Sequence, residues 1–161
     1  MSSVVMFPYL LMPLVVSDEE SKLVVDYALS NDKLMAFFLD KPKDINDETD
    51  IVHIGTAVTV LRMLRNQDGS ISLLLQGSSR IKKQKIVQKK PFIMVDVEQV
   101  EEFTADDTEI QAYRTIALEL LEKISQESSL LNREMITGLG NIKQAGRVAD
   151  IIAGKYRSEC G

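Results

Sequence analysis

The stretch from Met1 to Ser17, MSSVVMFPYLLMPLVVS, carries no charged side chain and contains two prolines, Pro8 and Pro13. That combination narrows what the chain can fold into. Each proline removes a backbone donor and clashes with the preceding helical turn, so the run cannot be one helix. A spanning helix would need ~20 apolar residues. A secretory signal would need a basic start and a small-x-small cleavage site, and this stretch has neither. No membrane association is expected. Extended chain at a sheet edge or bend suits two prolines better. Val4–Phe7 and Leu14–Val16 are predicted strands that flank an irregular Pro8–Pro13 connection.

The pattern downstream is strand-rich first and helical later. Ser17 with Glu20 has capping-box spacing, and Leu23, Val24, Tyr27 and Ala28 share one face of a helix predicted over Asp18–Leu29. Leu34–Leu39 reads as a short strand buried on both faces, and Asp40–Asp50 as an exposed loop. Ile51–Leu64, Ile71–Leu75 and Arg80–Val87 are strand-like, with Asp68-Gly69 a hairpin signal because glycine accepts positive φ. Phe92–Phe103 alternates, with Ile93, Val95 and Val97 opposite Met94, Asp96 and Glu98. Asp106–Ser128 then reads as a helix. Its stripe of Ile110, Tyr113, Ala117, Leu120, Leu121 and Ile124 is assigned to the core. Shorter helices are predicted over Arg133–Leu139 and Gln144–Ala153, the last stopped by Gly154. The order predicts an α+β chain: a β-rich part over residues 1–104 with one short helix, and a helical part over 105–161.

Composition limits the chemistry. The chain has 161 residues, one cysteine (Cys160) and one histidine (His53), so neither an intrachain disulfide nor a cysteine zinc site can form, and no metal site is expected. Net charge is −5, which gives no global attraction to nucleic acid or acidic membranes. His53 sits between Val52 and Ile54 in a predicted strand, a poor setting for a triad base. Ser78 and Ser79 lie near Lys82 and Lys83, but a lysine base must be desolvated, and clustered lysines stay solvated. Gly138-Leu139-Gly140 reads as a helix break. There is no G-x-x-x-x-G-K-[ST] phosphate loop. No catalytic residue is assigned.

Two segments suggest binding. Arg80, Lys82, Lys83, Lys85, Lys89 and Lys90 form a basic run without an acid, which could hold nucleic acid. However, Asp96, Glu98, Glu101 and Glu102 follow on the next predicted strand. An antiparallel pairing would set bases against acids, in one register Arg80 against Glu98 and Lys82 against Asp96. The run also lacks an aromatic stacking platform. The paired hairpin is preferred, and nucleic acid is not an expected partner. In the N-terminal run, Phe7, Leu10, Leu11 and Met12 either fill the core or leave part of Tyr9–Met12 exposed as a patch for extended apolar polypeptide.

Several motifs in order carry a family resemblance. Val4-Val5-Met6-Phe7-Pro8, Pro13-Leu14, Val16 and Ser21 resemble the opening signature of the Lon protease N-terminal domain. Ile54-Gly55-Thr56-Ala57, Asp68-Gly69, Leu73–Leu75, Gly77 and Arg80-Ile81 resemble its central run, and Ala145–Ala153, with Ala149 and Asp150, its "pGrLADlIA" helix. The resemblance covers Val4 to about Ala153. It departs at Ser2-Ser3, where the family has Arg-Asp, at Tyr9, where it has a glycine after Phe-Pro, and in lacking the family's long linking helix.

The resemblance implies a PUA-like β-barrel followed by a helical C-terminal half. It also implies a non-catalytic domain of a cytoplasmic ATP-dependent serine protease. Such a domain recognises unfolded or damaged polypeptides and supports assembly of a hexamer. ATP and Mg would belong only to other domains of that protease, and no cofactor to this chain. The substrate-binding residues expected on this basis are Phe7, Tyr9, Leu10, Leu11, Met12 and Pro13. Phe7, Pro8, Pro13, Gly55, Thr56, Gly69, Gly77, Arg80, Ala149 and Asp150 are expected to hold the fold. Two alternatives stay open: a stand-alone adaptor of the same type that docks a partner protein or small ligand, and a PUA-like RNA binder.

Overall fold

The computed structural model describes residues 5–39, 53–101, 108–127 and 133–157. The elements are β1 (Leu11–Val16), α1 (Glu19–Ser30), β2 (Leu34–Phe38), β3 (Ile54–Arg65), β4 (Ile71–Gln88), β5 (Met94–Gln99), α2 (Thr108–Glu127), α3 (Arg133–Gly140) and α4 (Ala145–Arg157). Two compact units divide the chain, Met1–Glu101 and Glu102–Gly161.

The first unit is one antiparallel sheet in the order β1-β4-β3-β2, with β5 also on β4. Its long member is β4, which runs unbroken through residues 76–79, between the two strands that the sequence predicts. Residues 71–76 pair β1, and residues 81–88 pair β5 along the same edge. The sheet is an open path, with no ladder closing it into a barrel among the described residues. Register shifts at Ala57/Val58 and Val60/Arg62 bend the β3–β4 pair.

Core and surface follow the period of two. Val58 and Val60 of β3 and Ile71, Leu73 and Leu75 of β4 are buried with Met6, Val16 and Val25. Leu10, Met12, Leu14, Met35 and Phe37 pack against them. In β2 the outward Leu34 and Ala36 are exposed, so this strand buries one face and not two. Among the described residues it pairs only with β3, at the edge of the sheet. Val4 and Asp40–Asp50 lie outside the described residues. Val5–Phe7 is not a strand, and β1 begins earlier than expected, at Leu11.

Local chemistry explains the turns. Helix α1 is capped by Asp18, whose Oδ1 accepts the Ser21 amide at 2.9 Å, and not by the predicted Ser17/Glu20 box. Asp and Ser are comparable caps, so one step of slippage is readily accommodated. The β3–β4 hairpin turns at Gly69, φ +80. Asp68 Oδ1 accepts the Ser70 amide at 2.9 Å and its hydroxyl at 2.7 Å. Those bonds from Ser70 hold the Asp68 carboxyl below the ordinary value of 3.8. Arg65 reaches Asp26 at 2.6 Å, fastening α1 to the end of β3. The ring of Tyr27 meets that of Phe92 at 5.2 Å between centroids.

In the second unit Leu121 of α2 and Leu139 of α3 are buried, with Ile151 and Ile152 of α4 against them. Arg114 donates to the Gly140 and Ile142 carbonyls at 2.6 and 2.9 Å, satisfying acceptors at the end of α3. Gly140 is the last residue of α3, whereas Gly138 lies within it, so the break predicted at Gly138-Leu139-Gly140 holds only at its end. Two expectations fail here. Tyr113, Leu120 and Ile124 are exposed, so only part of the predicted stripe of α2 is core. A helix meeting two short neighbours buries a narrower strip than its apolar residues could cover. Gly154 lies inside α4 and does not stop it, because a single glycine lowers helix stability by only about 1 kcal/mol. No helix among the described residues is long and apolar enough to cross a membrane.

Candidate functional site

The N-terminal run does two things at once. Pro8 and Tyr9 form a turn in which the Leu10 amide donates to the Phe7 carbonyl at 3.3 Å. Tyr9 takes φ 65, the left-handed region, at the position where the resembled family carries glycine. The turn is clamped to β4: the Tyr9 amide donates to the Gly77 carbonyl and the Gly77 amide to the Leu10 carbonyl, both at 2.9 Å. Gly77 must be glycine, because a Cβ would run into the Phe7 carbonyl oxygen. Thr56 completes the anchorage, its hydroxyl donating to the Met6 carbonyl at 2.8 Å.

Upstream of the turn, Phe7 helps line a cavity of about 340 Å³ with Phe37, Phe38, Leu39, Ile54 and Arg80. Its walls are aromatic and aliphatic, and Arg80 is the charged residue among the described lining. Downstream, β1 alternates. Met12, Leu14 and Val16 turn inward, while Leu11 (55% exposed), Pro13 and Val15 (62%) turn outward. Directly opposite residues share a face. Val15, Ser72 and Leu64 form one outward row and Pro13, Leu74 and Arg62 the next. Leu64 is 65% exposed, so exposed apolar side chains stand on β1 and β3 on either side of Ser72.

The six expected binding residues are therefore divided. Phe7 lines the cavity, Leu11 and Pro13 lie on the outer face, and Leu10 and Met12 pack against the core. Tyr9 is half-buried in the turn. Sequence reading missed Val15 and Leu64 on the face and Phe37, Phe38 and Ile54 in the cavity. The strict alternation from Leu11 to Val16 was a usable signal for Val15. Nothing in the sequence indicated that the ends of β2 and β3 meet Phe7.

The other candidates resolve simply. Lys82 faces Glu98 and Lys85 faces Asp96, the latter with an ion pair at 3.3 Å. Gln84 donates to Glu98 at 2.6 Å. Bases do meet acids, but in another register than the one considered above: Glu98 faces Lys82 and not Arg80, and Asp96 faces Lys85 and not Lys82, because the connection between β4 and β5 is centred nearer Pro91 than that register requires. His53 is exposed just before β3 and not within a strand. Ser78 hydrogen-bonds Thr59 at 3.1 Å. Among the described residues no group of three or more His, Cys, Asp or Glu could hold a metal ion.

Comparison with known proteins matches residues 1–159 to the family described as the ATP-dependent protease La (LON) substrate-binding domain. The Lon protease of Trichlorobacter lovleyi is 34% identical over 155 residues, covering 93% of this chain and 19% of that protein. That of Dictyoglomus thermophilum is 33% identical over 150 residues, covering 92% and 19%. The chain thus spans about a fifth of the length of these relatives. The fold matches the N-terminal domain of Mycobacterium avium complex Lon protease with a TM-score of 0.69 at 17% identity, covering 94% of this chain and 77% of that one. It also matches a Lon N-terminal domain protein from Xanthomonas campestris, with a TM-score of 0.57 at 17% identity, covering 95% and 93%.

Proposed function

Because this chain belongs to the ATP-dependent protease La (LON) substrate-binding domain family, we propose that it is the non-catalytic, polypeptide-binding part of a Lon-like ATP-dependent serine protease. It recognises unfolded or damaged chains in the cytoplasm and helps arrange a hexamer. The family match along nearly the whole chain carries this reading. The outward Leu11, Pro13, Val15 and Leu64 support it, since an apolar face suits extended apolar polypeptide. In this reading ATP, Mg and the bond-cleaving residues belong to the remainder of the longer protein. Each copy binds weakly, and a ring of copies gains avidity. In this reading the sheet, bent at the register shifts of the β3–β4 pair, is the curved part of a PUA-like fold.

The test titrates labelled unfolded polypeptide and labelled RNA at low and moderate salt. Polypeptide binding should change only a few-fold between about 50 and 200 mM salt, and should weaken when Leu11 and Val15 become serine. RNA held by six basic residues would instead lose affinity about 300-fold over that range. Tight, salt-sensitive RNA binding, or polypeptide binding indifferent to the double substitution, would overturn the assignment. So would ATP-dependent proteolysis by the 161-residue chain alone.

A further inference from the structure

The cavity beside Phe7 has a chemistry that a general apolar face does not explain. Its walls are Phe7, Phe37, Phe38, Leu39 and Ile54, and its charged lining group is Arg80. A ligand matched to such a space has an apolar body and one anionic group. At about 340 Å³ the space is near the small end of ligand pockets, enough for one large side chain and its adjoining main chain. The guanidinium is planar and fits a carboxylate through paired N–H groups. Arg80 already takes part in an interaction within the protein, and a guanidinium carries five N–H donors in all. The other polar group in the lining, the Thr56 hydroxyl, donates to the Met6 carbonyl.

We propose that this cavity binds the C-terminal residue of a polypeptide, with its apolar side chain among the phenylalanines and its α-carboxylate on Arg80. The inference rests on the polypeptide-binding reading above and narrows it. At a chain end the side chain and the carboxylate hang from a single Cα, so both requirements are met within one small volume. An internal Asp or Glu would have to bring a neighbouring apolar residue with it. The chain would then have to enter and leave the same small volume, burying two runs of peptide groups without partners.

The test compares short labelled peptides ending in phenylalanine as the free acid or the amide, and a longer unfolded polypeptide whose C-terminus is amidated. The free acid should bind at least about tenfold more tightly than its amide, the worth of a charge-assisted hydrogen bond. Arg80→Gln should bring the acid down to the level of the amide and leave the amide unchanged. Ile54→Trp, which fills the cavity, should weaken both short peptides and spare the longer chain. Equal binding of acid and amide to the unaltered protein would overturn the inference, and needs no variant to fold. If the longer chain still binds in that case, the general polypeptide-binding reading survives. Equal weakening of both peptides by Arg80→Gln would also overturn the C-terminus assignment.

Discussion

Replacing Gly77 with alanine tests whether the N-terminal turn is seated as described. The new Cβ would strike the Phe7 carbonyl oxygen, and would lie 3.0 Å from the Phe7 carbonyl carbon and 3.2 Å from Pro8 Cα. All three are backbone atoms, so no side chain can rotate away and the turn itself must lift. Lifting it breaks the two hydrogen bonds between Gly77 and residues Tyr9 and Leu10, each worth about 1 kcal/mol net. It also uncovers part of Met6 and Pro8, both buried, at a further 1–2 kcal/mol, roughly. Alanine restrains the unfolded chain and returns about 0.4–1 kcal/mol. The net loss is about 2–3 kcal/mol, which lowers the melting temperature by roughly 5–10 °C for a chain of this length. Gly69→Ala is the control: nothing lies within 4 Å of its Cβ, and only the φ of +80 is unfavourable. That change should cost about 1–2 kcal/mol. Thermal melts followed by circular dichroism read both. Gly77→Ala melting at or above the unaltered protein would show that the turn does not sit on β4.

Tyr9→Gly should act in the opposite direction, raising stability by up to about 1 kcal/mol as the left-handed strain is relieved; a lower melting temperature would mean that the tyrosine side chain contributes more than its backbone costs. Val148 is 2% exposed, so Val148→Asp should lose at least about 3 kcal/mol in a urea melt by burying a carboxylate. Ile152→Asp, at a half-buried position, should lose less, and the reverse order would show that α4 presents its other face. Acid should weaken the first unit through Asp18 and Asp68, whose carboxyls are held below 3.8 by hydrogen bonds from Ser21 and Ser70 respectively. As pH falls below that ordinary value the unfolded chain takes up protons first, so this stabilisation is present above it and is lost on acidification. Asp68→Ala should make the melting temperature less steep below about pH 4, and an unchanged slope would refute the linkage.

How much the sequence revealed depended on the range of the interaction that fixes each feature. Asp68-Gly69 named its hairpin because the signal, a positive φ and a carboxylate facing the following amide, is complete within three residues. The start of α1 was legible to within one residue for the same reason. The division of the N-terminal run into cavity, turn and face was not, because it is fixed by Gly77 and Thr56, which are remote in sequence. The β4–β5 register was missed for a related reason: it depends on where the connection is centred and on two irregularities, at Lys83/Lys85 and Ile86/Gln88, and a bulge has no residue signature. On α2 the amphipathic pattern was right about the helix, yet it could not say which of its apolar residues would find neighbours.

Tyr9 joins these observations. Its place in the family pattern belongs to glycine, and as a departure in sequence it looked like a different turn. The structure keeps the turn and puts tyrosine at φ 65. Proline at the second position and positive φ at the third are the demands of a type II turn. The hydrogen bonds to Gly77 and the burial of Pro8 hold that geometry against the preference of a tyrosine backbone. The same clamp fixes Phe7 at the cavity and starts β1 so that Leu11, Pro13 and Val15 face outward. A one-residue slip of β1 would turn Met12 and Leu14 to solvent and Leu11 and Val15 to the core. The turn therefore sets which apolar side chains stabilise the unit and which remain available to a partner.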